Sequence, residues 1–183
     1  MEDYLSSAKK QFEYYRSLGE KTMAQLTDEQ LFWHPHNDGN SIAVIIKHLH
    51  GNMLSRWTDF LTSDGEKEWR ERDDEFTADL NSRQDMMVKW EEGWGCLFAA
   101  LNSLTVGDLS REVYIRNMGH SVVEAINRQL AHYAYHVGQI VLIGKIQLGD
   151  SWLSLSIPKG KSGEYNQEKF AKPKRKQHFT DDL

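Results

Sequence analysis

Four long stretches of this chain repeat apolar residues at helical spacing, and that recurrence limits the fold more than any other feature. From about Asp3 to Leu26, the residues Tyr4, Leu5, Ala8, Phe12, Tyr15 and Leu18 fall on one stripe. Ser41 suits the N-cap of a second helix reaching about Leu61, with Ile42, Ile45, Ile46, Leu49, Met53, Trp57 and Phe60 on its inner face. A third, from about Asn81 to Leu104, offers Met86, Met87, Trp90, Leu97, Leu101 and Leu104 to a core, with Gly93 and Gly95 as weak points inside it. The fourth opens on a capping box, Ser121 with Glu124, and runs to about Leu148. A helix with one apolar face must bury it against a neighbour. The expected fold is therefore all-α, an up-and-down-type four-helix bundle.

The connections are polar. In "LTDEQLFWHPHNDGN", Thr27 and Gln30 form a second capping-box pattern, and Pro35, Asn37 and Gly39 make a loop. The segment "SDGEKEWRERDDEFT" reads as a charge-rich loop between helices two and three. Between helices three and four, Val113 and Ile115 alternate with Tyr114 and Arg116 ahead of a turn at Asn117–Gly119, a short hairpin-like excursion. Residues 1–158 are expected to form a single bundle domain. Residues 159–183 read as a strap and a basic tail, frayed towards "KPKRK".

Composition narrows the function classes. With 183 residues, 39% of them hydrophobic, the chain can bury one sizeable core. A net charge of −5 argues against a general nucleic-acid binder, whose affinity comes from neutralising phosphates. Cys96 is the single cysteine, so no intrachain disulfide forms and a reducing compartment is expected. Nothing approaches the roughly 20 apolar residues that cross a bilayer, and the start lacks a signal peptide's apolar run, so the expectation is a cytoplasmic protein. There is no HExxH motif and no phosphate-binding glycine loop.

The chemistry points to "QLAHYAYHVGQIVLIGK", where His132 and His136 stand four residues apart in a helix. At that spacing the Cβ atoms lie about 5–6 Å apart on one face, so both imidazoles can address one metal ion. They flank the apolar face of Val123, Ile126, Leu130, Tyr133, Val137, Ile140, Val141 and Gly144, together with Gln129. A third ligand would come from helix two, where "IIKHLHGNM" carries His48 and His50 on nearly opposite sides. His50 lies nearer the stripe of Ile46 and Met53. His48 lies above Gly51, Asn52 and Ser55, small or polar residues that leave room for a metal, a water and a ligand. The residues alone leave that choice open.

The opening Ser41-Ile42, the "KHL" that follows and "AHYAYHVGQI" in the last long helix resemble the DinB/YfiT-like superfamily, over about Leu18 to Lys161. A bacterial subgroup carrying "NRQLAHYAYHVGQI" and a trailing "SIPKGKS" is the nearest likeness. The resemblance implies a four-helix bundle with a metal on one histidine of helix two and the HxxxH pair, hence on His48, His132 and His136. Three neutral imidazoles leave a divalent ion open positions, with zinc the first expectation and nickel or iron also suited. Gln129 and Gln139 are candidates to hydrogen-bond the rings, and Lys159 and Lys161 to meet an acidic substrate group.

Some superfamily members transfer low-molecular-weight thiols such as bacillithiol to electrophiles, which implies a metal-dependent S-transferase here. A metal-dependent hydrolase with an activated water, and a non-enzymatic stress-related metal-binding or oligomerising bundle, use the same three rings. The resemblance also implies a homodimer, for which faces bearing Trp57, Trp69 or Trp94 are the candidates.

Overall fold

A computed structural model of the chain describes residues 2–36 and 38–182. Asn37, expected in a loop, lies outside the described residues. Four long helices form the body: α1 (Glu2–Met23), α3 (Ile42–Trp57), α4 (Arg83–Ser103) and α5 (Val122–Leu148), with a single turn α2 (Asp28–Leu31) after α1. Strands β1 (Glu112–Ile115) and β2 (Met118–Ser121) pair antiparallel just before α5, and α6 (Ser162–Phe170) follows the bundle. The expected all-α bundle with its small hairpin is what forms.

The helix starts follow their capping residues. Ser41 Oγ accepts from Val44 N at 3.2 Å, and Ser121 and Glu124 close a reciprocal box at the head of α5. The end of α3 falls short of expectation. It stops at Trp57 because Thr58 turns extended (ψ 127°) and Asp59 takes the left-handed region (φ 50°). Phe60 still packs on Trp57, ring centroids 4.8 Å apart, without being helical.

Helix directions depart from simple alternation. Near the starts of α1 and α5, Tyr4 Oη donates to the Val123 carbonyl at 3.2 Å, and near their ends Gly144 abuts Thr22, so these helices are parallel. In α3 and α4, His50 meets Glu92 and Thr58 meets Cys96, so these too run together. Arg16–Glu91 and Arg83–Met23 contacts make α1 and α4 antiparallel. The order is up, down, down, up. Parallel neighbours need a connection that travels the length of the bundle, and residues 58–82 make it.

One aromatic ring from each long helix meets in the centre. Phe12 of α1 lies 6.2 Å from Trp57 of α3, 6.5 Å from Trp94 of α4 and 5.9 Å from Tyr133 of α5. Trp57 Nε1 donates to Tyr133 Oη at 3.0 Å, and that hydroxyl donates to Asn52 Oδ1 at 3.0 Å, which satisfies these buried groups; Trp94 Nε1 is buried without a partner among the described residues. Trp57 and Trp94 are therefore buried in the core and offer nothing to a partner; of the three tryptophans suggested for subunit pairing, only Trp69 is exposed.

The tail forms α6 and returns to α1, where His178 Nε2 lies 3.0 Å from Ser7 Oγ and Phe179 packs edge-on against Tyr14. Among the described residues, no helix is long and apolar enough to cross a membrane.

The two glycines of α4 differ in kind. A Cβ on Gly93 would stand 3.1 Å from Met53 Sδ and 3.3 Å from His50 Cα, so this glycine lets α3 and α4 approach rather than weakening the helix. A Cβ on Gly95 would meet nothing within 4 Å. Gly93→Val is expected to destabilise by about 1–3 kcal/mol through overpacking. Gly95→Ala is expected to stabilise by about 0.5–1 kcal/mol. Urea unfolding of the two variants checks the opposite signs.

Candidate metal centre

Helix α3 turns His48, 4% exposed, towards α5, where His132 and His136 stand one turn apart. His132 Nε2 lies 3.4 Å from His48 Nε2 and 3.1 Å from His136 Nε2. One ligand atom from each ring falls within 4.8 Å of the other two. The structure thus brings together His48, His132 and His136. His50 points to the other side of α3, its Nε2 3.1 Å from Glu92 on α4.

The outer nitrogens decide where the protons sit. His48 Nδ1 lies 2.9 Å from Glu75 Oε2, and a carboxylate only accepts, so Nδ1 carries the hydrogen. His136 Nδ1 lies 2.7 Å from Gln139 Oε1 and donates to it, while Gln139 Nε2 donates to Tyr135 Oη at 3.1 Å. His48 and His136 therefore turn bare Nε2 lone pairs inward at His132 Nε2. That atom can give a proton to at most one of them, leaving lone pairs face to face. A cation relieves that repulsion, and three neutral imidazole nitrogens are a donor set that suits a divalent transition ion. The residues fit such an ion.

Burial keeps His132 and His136 neutral. It is the largest influence on His132, whose pKa is lowered to about 3, with the neighbouring His136 and His48 adding to it. Burial, then His48, lowers His136 to about 4. Protons do not compete for the nitrogens of these two rings near neutral pH.

Glu75 was not legible in the sequence. It enters from a 3-10 turn (Asp73–Phe76) of the long α3–α4 connection and is 5% exposed. Arg70 grips it with two bonds, Nε to Oε1 at 2.7 Å and Nη2 to Oε2 at 2.9 Å. Burial alone would raise its pKa, but hydrogen bonds from His48 and Arg70 outweigh that and lower it below the ordinary value. Phe76 stacks on the His48 ring, centroids 4.8 Å apart.

The space expected over Gly51 and Ser55 is taken up by protein, whereas Asn52 lines the cavity beside the histidines. A Cβ on Gly51 would lie 2.7 Å from Glu75 Cδ. Asn52 receives the Tyr133 hydroxyl, and Ser55 Oγ donates to the Gly65 carbonyl at 2.7 Å. Gly51 one turn after His48, with an apolar Phe76 inside a charged loop, was the available signal.

A cavity of about 380 Å³ opens beside the three rings, with Gln129, Tyr135 and several arginines in its walls. Gln129 is 4% exposed, yet its Oε1 has no hydrogen-bond partner among the described residues. Lys159 and Lys161 do not line this cavity. Lys161 borders a separate depression with Tyr14 and Lys21 and pairs with Glu164 at 2.8 Å. A strap over α1 carries it away from the face where α3 meets α5.

The profile of a family described as "Protein of unknown function (DUF1572)" matches residues 1–161. The chain belongs to DUF1572. The match takes in the whole bundle, all three histidines and Glu75, and ends just before α6. No curated protein and no solved structure matches the chain.

Glu75→Ala in this DUF1572 protein leaves the Arg70 side chain, 2% exposed, with only Glu66 as a partner. A loss of about 3–5 kcal/mol is expected from a broken buried pair, read by denaturation of metal-free protein.

The pH dependence has a definite sign. His132 and His136 take up protons near pH 6.5 when unfolded, but only near 3 and 4 when folded. The metal-free protein should lose stability as pH falls from about 6.5 to about 3. The lowered Glu75 adds a loss in the same direction at more acid pH. A series of Tm against pH checks this, and the double change His132→Asn, His136→Asn should flatten the upper part of the slope.

Proposed function

We propose that this DUF1572 protein is a metal-dependent S-transferase of the DinB/YfiT-like type, joining a low-molecular-weight thiol such as bacillithiol to an electrophile. The observation that carries the reading is the convergence of three Nε2 atoms beside an open cavity, with the outer nitrogens of two rings pinned by Glu75 and Gln139. When bound there, a divalent ion, zinc first, supplies Lewis acidity that favours thiolate over thiol at neutral pH.

The chain's own residues do the rest. Glu75 holds the proton on His48 Nδ1 and fixes the ring's angle, and its own position is set by Arg70. Gln139 does the same for His136. Phe76 covers one face of His48 and keeps water off it. No Asp or Glu lines the cavity. With no carboxylate base in its walls among the described residues, and with the imidazole lone pairs given to the ion when one is bound, the site suits a nucleophile whose acidity is raised by a cation. The same absence favours a thiol over the weaker acid water.

The test is metal analysis of purified protein, followed by turnover of a model electrophile with and without thiol. One equivalent of metal and thiol-dependent turnover are expected. His132→Ala should lower both beyond the roughly 10–100-fold typical of changes outside the coordination sphere. Turnover that ignores thiol identifies a hydrolase instead, and a tightly held metal without turnover identifies a non-catalytic bundle.

A further inference from the structure

The wall of the cavity around the histidines is built from guanidinium groups. Arg56, Arg70, Arg72, Arg116 and Arg128 line it. The carboxylates that pair with them sit outside the lining: Glu66 bonds Arg56, Arg70 and Arg116, Glu75 bonds Arg70, and exposed Asp73 lies 3.8 Å from Arg72. Five cations against three anions leave an excess of two positive charges. A chain of net charge −5 thus concentrates the opposite sign on one small concave surface.

Two further observations point to a ligand. Arg56 is 6% exposed, and its Nε has no hydrogen-bond partner among the described residues. Gln129 Oε1, in the same wall, is an unpartnered acceptor and suits a hydroxyl or N–H elsewhere on the ligand rather than its oxyanion. A buried donor left unsatisfied costs about 1–3 kcal/mol, and native structures seldom carry one that nothing uses. Arg116, moreover, occupies the left-handed region (φ 56°) in the turn between β1 and β2, beside Asn117 (φ 59°). Such a turn favours Asn or Gly. Here the Asp64 carboxylate accepts the backbone N–H of both residues at 2.8 Å and holds the strained turn, which sets Arg116 at the cavity.

We infer that this cavity binds an oxyanion group, carboxylate or phosphate, on a small-molecule substrate, held by Arg56, Arg116 and Arg128 with its reactive atom turned to the three histidines. The inference deepens the transferase reading and rests on it for which end of the substrate reacts; the anion site itself needs no ion. The volume lies within the range of small-molecule pockets. Planar guanidiniums with several N–H groups match carboxylate and phosphate oxygens. Lys159 and Lys161, the cations favoured by the sequence, take no part.

Calorimetric titration at low salt, on zinc-free and zinc-loaded full-length protein, tests the site with malate, glycerol phosphate and neutral glycerol. Malate or glycerol phosphate should bind both forms, more weakly as salt rises, and glycerol neither; whichever anion binds tighter separates carboxylate from phosphate. The exposed double change Arg116→Gln, Arg128→Gln should weaken binding at least about tenfold while Tm and zinc content stay as in the parent. Arg56→Lys, which keeps charge but loses the buried Nε–H, should also weaken it. Anion binding no better than glycerol, binding only to the zinc-loaded form, or an Arg116/Arg128 variant that binds like the parent would each overturn the inference. Failure of the metal reading appears separately, as protein that takes up no zinc yet still binds the anion.

Discussion

The Glu75 carboxylate, buried between His48 and Arg70, is the contact on which the rest of the site depends. An ionised group so far from water survives only if its oxygens are bonded and its charge is met. Arg70 meets the charge and His48 uses the remaining lone pair, which settles the tautomer of one ring. Because Gln139 settles a second ring in the same sense, the cluster presents lone pairs inward. The repulsion between them is built into the fold before any ion arrives. In that sense the centre is pre-organised for a cation.

Glu75 reaches that place only because the bundle runs up, down, down, up. The parallel pair α3 and α4 forces residues 58–82 to travel the length of the molecule. On the way that connection passes the α3–α5 face and delivers Arg70, Glu75 and Phe76 to His48. The same passage anchors the hairpin, through Asp64 on the turn and the bond from Gly65 N to the Tyr114 carbonyl. A strictly alternating bundle with short links would keep the three histidines and lose the groups that orient them. The central rings of Phe12, Trp57, Trp94 and Tyr133 fix the helices beneath, and Tyr133 adjoins His132 in the chain.

Charge is divided with a purpose that composition conceals. The chain is acidic overall, yet the one cavity beside the candidate metal centre is cationic. Neutral imidazoles leave a divalent ion's full charge in place, and arginines beside it add to the same field. Under the proposed function, together they would favour a substrate that is an anion away from its reacting atom and electron-rich at it. A thiol with carboxylates meets both conditions.

Much of the architecture follows from local rules. Apolar spacing at 3.6 residues placed the four long helices, and capping residues such as Ser41 and Ser121 placed the starts of α3 and α5, because these depend on neighbours along the chain. The pair His132 and His136 was legible for the same reason, since i and i+4 share a helix face. What separates His48 from His50 is which side of α3 meets α5, a property of packing that periodicity alone could not reach. The positions of Glu75, Arg70 and Arg116 needed the fold itself. Each lies far along the chain from the ring or cavity it serves, in a linker and a turn whose charged composition looks like any solvated surface. Only the path taken between parallel helices turned those surface-like residues into a buried support and a binding wall.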